Sequence, residues 1–102
     1  LEYPVPLPQA ALGAEVDVPT LNGLVSMKIP AGTQSGAVFR VRGKGIPDVH
    51  SGRAGDLLVR VVVETPVHVT AKQRQALDEL HKVFGDESYP ARRSLLSKLK
   101  GR

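Results

Sequence analysis

A mainly β domain of antiparallel strands followed by a helix is the fold class this sequence predicts, and three stretches predict it. Asp56–Glu64 (DLLVRVVVE) is the most β-branched run of the chain. Leu57, Val59, Val61 and Val63 fall on one side of an extended backbone, and Leu58, Arg60, Val62 and Glu64 on the other. The first side is wholly apolar and must face a core; the second is half apolar, so it is partly covered or near an edge. A run this short with four valines reads as a central strand. Glu15–Pro30 (EVDVPTLNGLVSMKIP) sets Asn22-Gly23 between two alternating segments, the pattern of a β-hairpin with a type I′ turn. Thr70–Gly85 carries a helix start, an apolar stripe and a stop.

Along the chain, Leu1–Leu12 holds Pro4, Pro6 and Pro8. Proline lacks the ladder donor, so this is an edge strand or an extended arm, with one helical turn over Gln9–Leu12 closed by Gly13. In the hairpin, Val16 and Val18 share one face, as do Val25, Met27 and Ile29. Pro19 marks the first of these strands as an edge, or marks where its pairing stops. Ala31–Pro47 opens with a glycine-bearing loop and continues as a strand, Val38–Arg42, with Phe39 and Val41 on one side and Arg40 and Arg42 on the other. Gly43 and Gly45 end it, and the polar loop Asp48–Gly55 leads into the central strand. These two consecutive strands are expected to pair antiparallel. Thr70 with Gln73 forms a capping box. Ala76, Leu77, Leu80, Val83 and Phe84 make the stripe, and Gly85 stops the helix. A second helix is expected from Pro90 to Lys100, with Leu95, Leu96 and Leu99 as its apolar side and Arg92, Arg93, Lys98 and Lys100 making it basic. The expected boundaries are a β domain over 1–69, a helix over 70–85 and a basic tail over 86–102.

Length and composition narrow the function classes. The 102 residues suffice for one domain with one core. A hydrophobic fraction of 41% is ordinary for a globular chain. No run approaches the ~20 apolar residues of a membrane helix, so no membrane partner is expected. The absence of cysteine excludes disulfides, thiolate zinc sites and a cysteine nucleophile, and fits the reducing cytoplasm expected as its compartment. The chain begins at Leu1 without a leader pattern and is read as a piece of a longer protein. Fourteen Lys and Arg against ten Asp and Glu give +4, a modest excess concentrated toward one end.

Motifs that would carry catalysis fail on inspection. Gly43-Lys44 lacks the earlier glycine of a phosphate loop, and Gly45 stands where Ser or Thr would bind magnesium. Gly43 and Gly45 are followed by Asp48 rather than by a third fingerprint glycine, so tight turns at a strand end are the better reading. Gly32–Gly36 is no nucleophile elbow. His50, His68 and His81 share no ligand spacing. Asp78-Glu79 and Asp86-Glu87 read as solvated carboxylates. No enzyme activity, metal or cofactor is expected. Arg40, Arg42 and Lys44 could track phosphates, which motivates an alternative reading as a basic β-barrel-like RNA-binding module. A chain with four aromatic residues is poorly equipped to stack bases, so nucleic acid is the less favoured partner.

The segments VPLPQAALGAEVDVP (Val5–Pro19), VPTLNGLVSMKIP (Val18–Pro30), PAGTQSGAVFRVRGKGIP (Pro30–Pro47), GDLLVRVVVETP (Gly55–Pro66) and TAKQRQALDEL (Thr70–Leu80) occur in an order that resembles the second C-terminal β-domain of the DnaJ co-chaperones. The resemblance runs to about Phe84; nothing from Asp86 onward takes part in it. It implies a small twisted β-sandwich ending in a helix that pairs two subunits. It also implies a stress-response role in holding unfolded client polypeptide and handing it to the seventy-kilodalton heat-shock chaperone. Three family parts are missing from this sequence: the J domain with its His-Pro-Asp loop, the four CxxCxGxG zinc motifs, and the first C-terminal domain with the main peptide groove, which would lie before Leu1. From the residues alone, the stripe on the Thr70 helix can fold back on its own sheet or meet a partner, and the first is favoured. The resemblance reverses that preference toward a homodimer and places Val69, Leu77 and Leu80 at the subunit contact, with Phe84 near it. Asn22, Gly23, Gly43 and Gly45 are left as turn residues with a structural role.

Overall fold

The computed structural model describes residues 1–100, with strands and helices in the order β1 Glu2–Pro6, α1 Leu7–Leu12, β2 Ala14–Thr20, β3 Gly23–Ile29, β4 Val38–Val41, β5 Leu57–Glu64, α2 Ala71–Val83 and α3 Pro90–Lys100. These fall into two compact units, Leu1–Pro66 and the residues from Val67 on.

The first unit is a two-layer β structure. β5 is the middle strand of one sheet, order β1-β5-β4, and β2 and β3 form the other. β4 and β5 are antiparallel, with Phe39 opposite Val59 and Val41 opposite Leu57. β1 and β5 are parallel, with Tyr3 opposite Val61 and Val5 opposite Val63. The sheet is therefore mixed, and β1 is an edge strand, the place where Pro4 and Pro6 remove no inward ladder donor. The inner faces meet in one core of Val5, Ala10, Val16, Val18, Met27, Ile29, Val59 and Val61. Alternation along β5 decides which residues take part: Val59 and Val61 are fully buried, whereas Leu58, Arg60 and Glu64 are exposed. The outer face of β5 is more open than its apolar content suggests. α1 begins two residues before the expected turn, with Pro8 inside its first turn. The loop after β3 answers it, since the Gly32 and Thr33 N–H groups donate to Ala11 O and Ala10 O at 3.1 and 3.0 Å.

Two local details differ from the sequence reading. The hairpin register pairs Thr20 with Gly23, so Leu21 and Asn22 occupy the turn and Gly23 opens β3. Neither Leu21 nor Asn22 has a positive φ; Gly23 does, at +106°. This is an ordinary turn closed by a left-handed glycine rather than a type I′ turn on Asn22-Gly23, and the Thr20 hydroxyl secures it by donating to Gly23 O at 2.6 Å. At the end of α2, the cap residue is Phe84, in extended backbone, and Gly85 lies beyond it at φ −103°. The helix ends because the chain turns out at Phe84, with no left-handed glycine cap.

The glycine requirement at 23 is conformational, because a Cβ there would meet nothing within 4 Å. Gly23→Val should cost on the order of 1–3 kcal/mol through the positive φ alone. A urea midpoint equal to that of the wild type would show that the hairpin closes without it.

Candidate functional site

The second unit carries the residues expected at a subunit contact. Its helix is locally well specified. Thr70 Oγ1 accepts from the Gln73 N–H at 3.1 Å, and Gln73 Oε1 accepts from the Thr70 N–H at 2.8 Å, completing the capping box. Lys82 and Asp78 form an exposed i,i+4 ion pair at 3.2 Å, a minor contribution. No residue of α2 is buried. Leu77 is 40% exposed, Leu80 46% and Phe84 41%, while Val83 is more open still. Val69, just before the cap, is half-buried. Leu77, Leu80 and Phe84 thus follow one another at helical spacing as a stripe of half-exposed apolar side chains. Sequence reading missed Tyr89. Its ring meets Phe84 edge-on, centroids 5.7 Å apart, so the end of the stripe is an aromatic pair fixed by the 3-10 turn Asp86–Ser88 between them. The signal was available in Tyr89 standing five residues past Phe84 across a glycine.

The four turn residues lie in the first unit and form two separate features. Asn22 and Gly23 belong to the β2–β3 hairpin. Gly43 and Gly45 stand at the base of an arm between β4 and β5. Gly43 has φ +72°, and its N–H donates to Asp56 Oδ1 at 3.1 Å. Asp56 Oδ2 faces Arg40 Nε at 3.6 Å. Gly45 is constrained differently: a Cβ there would collide with the carbonyl of Asp56, whose carbon lies only 2.7 Å away. Asp56 therefore anchors the arm from both sides, a role not visible in the sequence because it depends on the β4–β5 register.

The residues weighed for catalysis have structural duties or lie apart. Ser35 Oγ accepts from the Val63 N–H at 3.0 Å and extends the β4 side of the sheet past Val38. His50, His68 and His81 are exposed, and the described residues contain no cluster of three His, Asp or Glu able to hold a metal. Among the described residues no helix is long and apolar enough to cross a membrane. Arg40 is engaged with Asp56, so the basic strand face offers fewer free cations than its sequence suggests.

Gly45 supplies a sharp test of the arm. Gly45→Ala must displace backbone and should cost about 1–3 kcal/mol. Gly55→Ala, whose Cβ would sit at an ordinary 3.4 Å from Ile46 O, should cost far less. Amide exchange at Gly55 should quicken in the first variant and not in the second; equal behaviour would show the close approach at Gly45 to be relaxed in solution.

The two-layer sheet with its β4–β5 arm matches a known family. Residues 1–66, which end where the first compact unit ends, match the model of the DnaJ C terminal domain. The match covers well over half of the sequence, and the chain belongs to the DnaJ C-terminal domain family.

Proposed function

We propose that this DnaJ-type co-chaperone segment pairs two subunits through α2 and supports the binding of unfolded client polypeptides, which the full-length protein delivers in the cytoplasm to the seventy-kilodalton heat-shock chaperone. The observation that carries the reading is the stripe Leu77, Leu80 and Phe84, half-exposed on a helix whose start is fixed by its capping box. Apolar side chains at i, i+3 and i+7 on an exposed helix suit a two-fold contact, in which each residue meets the same small patch on the other subunit. Membership of the DnaJ C-terminal domain family supports the co-chaperone setting. The chain acts by binding, with no cofactor and no catalytic step. The RNA-binding alternative loses ground because Arg40 is paired with Asp56 and the strand aromatics Tyr3 and Phe39 pack against the core.

One short helix per subunit buries little area, on the order of 1,200 Å² or less, the weak end of specific interfaces. The dimer should dissociate on dilution in roughly the micromolar range. Leu80→Asp places an unpaired carboxylate in the contact and should give a folded monomer, because the core around Val59 and Val61 is untouched. Sedimentation equilibrium reads the mass and circular dichroism the fold. A wild-type chain that stays monomeric at high micromolar concentration would end the dimer reading, and unfolding of Leu80→Asp would assign Leu80 to the chain's own packing.

The segment should support client binding rather than dominate it. Light scattering of an aggregating denatured protein should fall only slightly at a one-to-one ratio with this chain. Strong protection would place the principal client site within these residues.

A further inference from the structure

The stretch joining β4 to β5 is an ordered arm whose side chains are not buried. Its backbone is laddered from base to tip. The Gly45 N–H donates to Gly55 O at 2.8 Å, the Gly55 N–H to Ile46 O at 3.1 Å, the Asp48 N–H to Arg53 O at 2.7 Å and the Gly52 N–H to Asp48 O at 2.9 Å. Pro47 bridges Ala54 between them. A long connection that is held in one conformation by its backbone presents its side chains at fixed positions. On this arm Ile46 is 81% exposed and Val49 92%, the two most open large aliphatic side chains among the described residues.

The charges on the arm are divided unequally. Asp48 Oδ1 accepts from the His50 N–H at 2.7 Å, and Asp56, at the base of the arm, is shared between the Gly43 N–H and Arg40. Arg42, Lys44 and Arg53 form no ion pair with the described residues. Two exposed aliphatic side chains, Ile46 and Val49, and two cations without an ion pair among the described residues, Lys44 and Arg53, thus sit on one backbone-laddered arm, with Arg42 immediately before it.

We infer that the arm from Gly43 to Gly55 is a docking surface for an acidic, aliphatic-bearing segment of another polypeptide. Carboxylates on the partner answer Arg42, Lys44 and Arg53, and its aliphatic side chains cover Ile46 and Val49. The arm contains no Phe, Tyr or Trp on which a base could stack, which favours peptide over nucleic acid. Because the arm is preordered, little conformational entropy is lost on its side of the contact. The inference rests on the co-chaperone reading for the supply of such segments and adds a contact separate from α2.

The test uses short fluorescein-labelled peptides of three compositions, Glu with Leu, Glu with Ser, and Lys with Leu, followed by fluorescence anisotropy at low salt. The wild-type chain should bind the Glu–Leu peptide most tightly. The double variant Ile46→Ser with Val49→Ser should weaken that binding about tenfold. Lys44→Glu with Arg53→Glu should weaken it at least about tenfold and shift preference to the Lys–Leu peptide. All four side chains are exposed, so thermal unfolding should be unchanged. Equal binding of the Glu–Ser peptide, displacement of peptide by oligouridine, indifference to both double variants, or no measurable binding by the wild type would each overturn the inference. Sedimentation of the same samples separates the two readings. Peptide binding that survives in monomeric Leu80→Asp supports the arm on its own; a dimer that forms but binds no Glu–Leu peptide refutes the arm and leaves the dimer standing.

Discussion

β5 is hydrogen-bonded along both edges while one of its faces is sealed in the core, and the order of the first unit depends on that double constraint. Val59 and Val61 are fully buried. Their burial fixes the register of the strand, since a slip by one residue would bring Leu58, Arg60 and Val62 inward and put a guanidinium into an apolar core. With the register fixed, the partners follow. Phe39 and Val41 of β4 meet Val59 and Leu57 across an antiparallel ladder. Tyr3 and Val5 of β1 meet Val61 and Val63 across a parallel one. The second sheet adds Val16, Val18, Met27 and Ile29 from the opposite side, and each buried Val or Ile contributes roughly 1.5–3 kcal/mol.

The arm is a consequence of the same register. Because Val41 is held opposite Leu57, Asp56 arrives beside Gly43 and Gly45 at the point where the pair leaves the sheet. The carboxylate then caps the Gly43 amide, and the Asp56 carbonyl leaves no room for a side chain at 45. The glycines that look in isolation like a failed phosphate loop are required by backbone proximity. Order at the base lets the arm expose Ile46 and Val49 without a core beneath them.

The second unit is organised differently. α2 is specified by its cap and its spacing, with no buried residue of its own. Helices of this length are marginal by themselves, so a stripe such as Leu77, Leu80 and Phe84 is stabilised when something covers it. The family assignment, which rests on residues 1–66, and the apolar stripe, which lies beyond them, are independent lines that meet in the proposed co-chaperone role.

By itself the sequence determined the fold class, the β2–β3 hairpin, the buried face of β5, the capping box at Thr70 and the Pro90–Lys100 helix. Each of these is written in local periodicity or in a short-range hydrogen bond between residues three or four apart. The segment order also carried the family. Only the tertiary structure decided the parallel pairing of β1 with β5, the placement of Leu21 and Asn22 rather than Asn22 and Gly23 in the turn, the contact of Tyr89 with Phe84, and the anchoring of the arm by Asp56. The pairing of β1 joins residues nearly sixty positions apart, beyond the reach of any local sequence pattern. The turn depends on the backbone angles at Gly23, which sequence alone leaves free among several glycine-tolerant geometries. Alternation states which side of a strand is apolar; which strand lies beside it, and in which direction, is settled only when two apolar faces close on one core.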